Sequence, residues 1–263
     1  FLSAAKQTSR DGSNMWLKKL HACKAVIIQG WQHKPLKTSI NYSTYSNNYM
    51  NFRSLIRILA LSCLALQSQG VHAGAYEDML HAIRTDDQTT IIDLLRRGVD
   101  IETVSPQGET LLMLAAREGK PIVIETLLAA KPRINARNPL GETALMLAAI
   151  QGHTEAVKML IAAGAPVNQS GWTPLIYAAA RDRVDIAKLL IAKGANVNAA
   201  ADNGTTALMM AAREGYLQML LLLLEHGADA KYVSPSGHSA LSLAADRGNK
   251  EIEFMLRKAG VSN

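Results

Sequence analysis

The chain has 263 residues, with 28 Lys+Arg against 22 Asp+Glu, a formal charge of +6. That charge is unevenly placed: residues 1–73 hold 9 basic and 1 acidic residue, leaving 19 basic and 21 acidic residues, about −2, in 74–263. A nucleic-acid or anionic-membrane role founded on total charge is therefore excluded, and two cysteines, Cys23 and Cys63, both ahead of residue 74, supply neither a disulfide framework nor a thiolate metal cluster.

Residues 1–49 open on Phe1 and include a polar stretch, Lys37 to Tyr49, rich in Ser, Thr, Asn and Tyr. This composition cannot support a core, so the expectation is a disordered leader or an over-extended reading frame ahead of a start at Met50. Met15, followed by Lys18, Lys19 and a broken apolar run Ala25 to Ile28, is a competing start. Residues 50–73 have the layout of a secretory signal peptide. Arg53 and Arg57 make a basic start, Ile58 to Leu66 an apolar run, and Val71-His72-Ala73 a small-residue cleavage site. A bilayer-spanning helix needs roughly 20 apolar residues, so this run is too short for a permanent anchor, and no stable membrane insertion is expected after cleavage.

From residue 74 onward one layout recurs. Glycines open blocks at Gly108, Gly141, Gly171, Gly204 and Gly237, at intervals of 33, 30, 33 and 33 residues. Ala-Ala pairs follow at Ala115-Ala116, Ala148-Ala149, Ala178-Ala179, Ala211-Ala212 and Ala244-Ala245. A second comb, Gly98, Gly164, Gly194, Gly227 and Gly260, closes the blocks if Lys131 takes the missing slot. A period in the low thirties marks a stacked array. Within the blocks, Glu155 to Ile161 and Asp185 to Ile191 place apolar residues at helical spacing ahead of a Gly that can end a helix. Tips such as Asp202-Asn203-Gly204 and Pro235-Ser236-Gly237 carry tight-turn chemistry. Each block then reads helix, turn, helix, turn, and only a stack of three or more can hide the apolar faces. Met219 to Leu224 reads as a buried second helix. The ends look capped: Glu253 and Arg257 stand where inner blocks have Val157 and Ile161, and Asp93 stands in the slot of Met159.

The blocks resemble ankyrin repeats. Gly171-Trp172-Thr173-Pro174-Leu175 carries the opening of that pattern, Gly152-His153-Thr154-Glu155-Ala156-Val157 its middle and Gly194-Ala195-Asn196-Val197-Asn198 its exit. The resemblance implies an all-α ankyrin-repeat solenoid of stacked helix-turn-helix units with β-hairpin-like finger loops. The ankyrin domain would span 74–263, with a capping unit at 75–107 and five full repeats at 108–140, 141–170, 171–203, 204–236 and 237–263. It also implies contact with a partner protein through finger tips and exposed positions of the first helices, on the concave side. Carried over by position, that surface comprises Gln107, Glu109, Arg117 and Glu118, then Leu140, Glu142, Ile150 and Gln151. It continues with Ser170, Trp172 and Arg181, then Asn203, Thr205, Arg213 and Glu214, and closes with Ser236, His238, Asp246 and Arg247. Trp and Arg dominate binding energy at interfaces, which puts Trp172, Arg117, Arg181 and Arg213 first.

Two departures from the pattern stand out. Where ankyrin repeats usually have His after Thr-Pro-Leu, this chain has Met113, Met146, Ile176, Met209 and Ser242, which removes a polar link and leaves core packing as the role of the methionines. Neighbouring helices lie too far apart for stacked thioethers to share a copper ion, so no metal is expected. The third block has a finger, Ala165 to Ser170, three residues shorter than Ala195 to Asn203, and Asp182-Arg183 in place of the usual Gly-His. Beside Trp172 this predicts a notch in the groove. The chain carries no dinucleotide, phosphate-loop, zinc-protease or serine-hydrolase motif, and neither catalysis nor a cofactor is expected. Bacterial ankyrin proteins with signal peptides are similar in layout. That likeness implies a non-enzymatic binder in the periplasm or outside the cell: an immunity or inhibitor protein against a secreted toxin, or a helper of oxidative-stress defence. A cytosolic or host-directed scaffold is the alternative should residues 50–73 remain attached.

Overall fold

Each block begins with a hydroxyl residue just ahead of an apolar run, and that pairing starts a helix. The hydroxyls of Thr110, Thr143, Thr173, Thr206 and Ser239 accept from the amide three residues on, at 3.3, 3.4, 3.2, 3.3 and 3.1 Å. Each thereby satisfies one of the amides that a helix start leaves without a partner. The computed structural model describes residues 74–260, so the leader and signal peptide expected over 1–49 and 50–73 lie outside the described residues.

Twelve helices, in pairs, make up the described residues. The leading pair is α1 (residues 74–85) and α2 (Gln88–Arg96), and the next is α3 (Leu111–Glu118) with α4 (Pro121–Ala129). Then come α5 (Ala144–Gln151) with α6 (Thr154–Ala162), and α7 (Pro174–Ala179) with α8 (Val184–Ala192). The last pairs are α9 (Ala207–Glu214) with α10 (Leu217–Glu225), and α11 (Ala240–Arg247) with α12 (Lys250–Lys258). Between pairs the fingers make isolated antiparallel bridges, Val104 to Thr110, Ala200 to Thr206 and Val233 to Ser239. The fold is the all-α solenoid that the period implies.

First helices stack on first helices, α3 on α5, then α7, α9 and α11, and second helices stack alongside them from α2 to α12. The Ala pairs let the inner row close up: Ala115, Ala116, Ala148, Ala149, Ala178, Ala179, Ala211 and Ala212 are all fully buried. Ala245 of the last block is exposed, because no further helix pair among the described residues covers it. Val123, Val157, Leu160, Leu190 and Leu223 fill the second row at 0% exposure, each side chain contributing about 1.5–3 kcal/mol. Met219, Leu220, Leu222 and Leu223 are buried in α10, and no helix among the described residues is long and apolar enough to cross a membrane.

The methionine slots hold more than packing. The Met113 and Met146 sulfurs accept the backbone amides of Thr110 and Thr143 at 3.4 Å, and in the last block Ser242 Oγ accepts the Ser239 amide at 2.9 Å. These close the reciprocal half of a capping box. The expected loss of a polar link is thus made up locally in these three blocks.

Polar ties join successive blocks at two levels. At the second-helix starts, His153 Nε2 meets the Arg117 carbonyl at 2.9 Å, Arg183 Nε donates to the Ile150 carbonyl at 3.3 Å, and Asn249 Nδ2 donates to the Ala212 carbonyl at 2.9 Å. At the block exits, Asn168 Nδ2 donates to the Gly194 carbonyl at 2.8 Å while its Oδ1 accepts the Asn196 amide at 2.8 Å. Asn198 repeats that bridge to the Gly227 carbonyl and the Asp229 amide, at 3.0 and 2.7 Å. Gly152 shows why the turn before these ties is glycine. Its φ is +91°, and a Cβ built there would sit 2.8 Å from Arg183 Nε.

Candidate functional site

Fingers and first-helix ends of successive blocks share one strip, because four of the five blocks repeat the same turn at the same place, Gly108, Gly141, Gly204 and Gly237 each donating to the carbonyl three residues back. Of the positions expected on it, Gln107, Leu140, Ser170, Asn203 and Ser236 are exposed at the finger tips. Glu118, Gln151, Arg181, Glu214, His238, Asp246 and Arg247 are exposed as well, while Arg117, Glu142, Ile150, Trp172, Thr205 and Arg213 are half-buried. Leu140 is 82% exposed, a large apolar side chain with little cover of its own.

Glu109 does not join this surface. It is only 7% exposed, and both of its carboxylate oxygens accept from Arg117 Nη1 at 2.7 Å. Burial and the ion pair turn it into a brace between finger and helix, and they hold the Arg117 head inward. Arg213 is also engaged, donating through Nε to Glu214 Oε1 at 2.8 Å. Arg181 is exposed at the third block, next to the left-handed residue Asp182, whose φ is +53°.

The centre of the strip is an aromatic pair. Trp172 and Tyr177 have ring centroids 5.3 Å apart and are tilted by 50°, within the range that favours aromatic contacts. Tyr177 Oη donates to Glu142 Oε1 of the preceding block at 2.9 Å, and Asn138 Nδ2 donates to Glu142 Oε2 at 2.8 Å. Asn138 is itself fixed, because its Oδ1 accepts the amides of Leu140 and Glu142 at 3.0 and 2.9 Å. Burial, followed by the hydrogen bond and charge of Glu142, pushes the Tyr177 hydroxyl well above its ordinary value, so it stays protonated and keeps donating.

The short finger beside this pair is held differently from the others. At four block starts the finger is pinned by a backbone bond, Ser105 to Glu109, Asn138 to Glu142, Ala201 to Thr205 and Ser234 to His238, at 2.8, 3.0, 2.9 and 2.8 Å. Between Ala165 and Trp172 a side chain does that work. Gln169 Nε2 donates to Thr143 Oγ1 at 3.2 Å, and Gln169 Oε1 accepts from Arg137 Nη2 at 2.9 Å.

Tyr177, Asn138 and Arg137 are not among the expected site residues. A signal for Tyr177 exists: its column otherwise holds Leu114, Leu147, Met210 and Leu243, so a hydroxyl-tipped ring there is the exception. Two cavities are lined by residues outside the expected set. One of about 530 Å³ lies between α2 and α4, lined by Ile92, Leu95, Arg96 and Glu125 among others. One of about 270 Å³ lies at the start of α8, lined by Asp182, Arg183 and Asp185. Among the described residues no group of three or more His, Cys, Asp and Glu is placed to hold a metal ion.

A family model described as ankyrin repeats (3 copies) matches residues 79–168 and again 112–201, and one described as ankyrin repeats (many copies) matches residues 190–244. No curated protein matches the chain.

Proposed function

Because the chain belongs to the ankyrin repeat family, whose members typically act as protein–protein interaction modules, we propose that it captures a partner protein along the concave strip of fingers and first-helix ends, without catalysing a reaction. The observation that carries this reading is the centre of the strip. Trp172, half-buried and in tilted contact with Tyr177, stands beside a finger three residues shorter than its neighbour. A half-buried Trp beside a shortened finger has the features of an interface anchor: large area, few rotamers and a hydrogen-bonding edge. Leu140, exposed on the adjoining finger tip, extends the apolar contact area.

Trp172→Ala is expected to weaken capture of the native partner about tenfold or more, with far-ultraviolet circular dichroism unchanged. Equal affinity for the partner would remove this reading. We further propose that the protein works outside the cytoplasm, in a bacterial periplasm or beyond. This rests on the basic start, short apolar run and small-residue end of Met50 to Ala73. Mass spectrometry of the natively expressed protein should find its first residue at Gly74; a start at Met50 or earlier would defeat the export reading.

A further inference from the structure

The first two full blocks place the same acid at the same position and treat it differently. In the first, Glu109 finds a cation eight residues later, Arg117 Nη1, at 2.7 Å from both oxygens. The same step from Glu142 leads to Ile150. Glu142 is held by two neutral donors, Tyr177 and Asn138, and no ion pair to it occurs among the described residues. Later blocks do not repeat the situation, having Trp172 with Ala180, Thr205 with Arg213 and His238 with Asp246 in these two positions. Glu142 is thus a half-buried carboxylate without its repeat's cation, fixed in place and bonded to Tyr177, whose ring lies against Trp172.

We propose that Glu142, Tyr177 and Trp172 receive one arginine side chain of the partner, its guanidinium taking over Glu142 the place that Arg117 occupies over Glu109. The chemistry favours arginine. Each Glu142 oxygen uses one lone pair on Tyr177 or Asn138 and keeps capacity for a second donor, which suits a two-pronged guanidinium. The planar cation also lies flat on an aromatic face, where a compact, strongly hydrated ammonium gains less. This pocket rests on the protein-capture reading and adds to it the charge of the segment captured: an exposed basic stretch presenting one arginine.

The test uses the full chain, labelled with nitrogen-15, and follows the Trp172 indole N–H, assigned by its loss in Trp172→Phe. N-acetyl-arginine amide should shift this signal saturably. N-acetyl-lysine amide should bind about fivefold more weakly, and the neutral N-acetyl-citrulline amide should not saturate. Glu142→Gln should weaken arginine binding about fivefold or more, and Ile150→Arg, which restores an internal cation, should abolish it. Citrulline binding as well as arginine, or full binding by both variants, would overturn the pocket. With the native partner, loss of capture in Trp172→Ala but not in Glu142→Gln or Ile150→Arg would also overturn it while leaving the interaction module standing.

Discussion

Gly152→Ala tests whether the ties between blocks carry stability beyond what local backbone geometry demands. The residue has φ +91°, a left-handed conformation that costs a residue with a Cβ about 1–2 kcal/mol. The new methyl would lie 2.8 Å from Arg183 Nε and 2.9 Å from Cζ, so the guanidinium must move and its 3.3 Å bond to the Ile150 carbonyl breaks. Losing that bond adds about 1 kcal/mol, for a total of about 2–3 kcal/mol. Gly164 is the internal control: φ is +93°, yet nothing lies within 4 Å of the place its methyl would take, so Gly164→Ala should cost only the backbone share, about 1–2 kcal/mol. Urea unfolding followed by circular dichroism should separate the two by about 1 kcal/mol, equivalent to about 3 °C in melting temperature. In an Arg183→Ala background the extra cost of Gly152→Ala should vanish, as a double-mutant cycle requires. Equal losses at both glycines, or an undiminished effect without Arg183, would refute the reasoning.

Three further outcomes are expected. The hydroxyls and amides of Thr89 and Thr90 hold the Asp87 carboxyl down to about 2, so its capping of α2 stabilises the fold above pH 4 or so and fades as pH falls toward 2. Asp87→Ala should therefore lower the melting temperature at pH 6 and have little effect near pH 2; an undiminished difference at low pH would contradict the linkage. Arg117→Met leaves the buried Glu109 without its cation and should cost about 1–2 kcal/mol in urea unfolding, most of it recovered by adding Glu109→Leu. Leu160→Ala empties a fully buried site and should cost about 3 kcal/mol, whereas Lys158→Ala on the exposed side of the same helix should change stability by less than about 0.5 kcal/mol.

Periodicity alone predicts the helix pairs closely: the run Glu155 to Ile161 lies inside α6 at Thr154–Ala162, and Asp185 to Ile191 inside α8 at Val184–Ala192. Small residues, apolar spacing and glycine stops are local signals, so they can be read along the chain. The strip is less legible because its decisive contacts join distant residues. Glu109 looks like an exposed finger residue until Arg117, eight positions on, folds over it. Glu142 and Tyr177 are 35 residues apart and meet only because blocks stack in phase. The Met113 and Met146 sulfurs are a third case. Side-chain volume suggests core filling, while their acceptor role depends on rotamers set within the helix start. Arg183 shows the opposite lesson, since Asp182-Arg183 departs from Gly-His in sequence and yet Arg183 makes the same kind of backward bond as His153.

The polar ties between blocks span 26 to 37 residues, each joining one block to the next along the chain. A polypeptide emerging from a ribosome would complete such a tie as soon as one more block had cleared the exit tunnel, with the receiving surface already folded and waiting. Assembly can thus proceed as successive addition to a growing end, and no early segment has to stay unpaired until a distant late one is made.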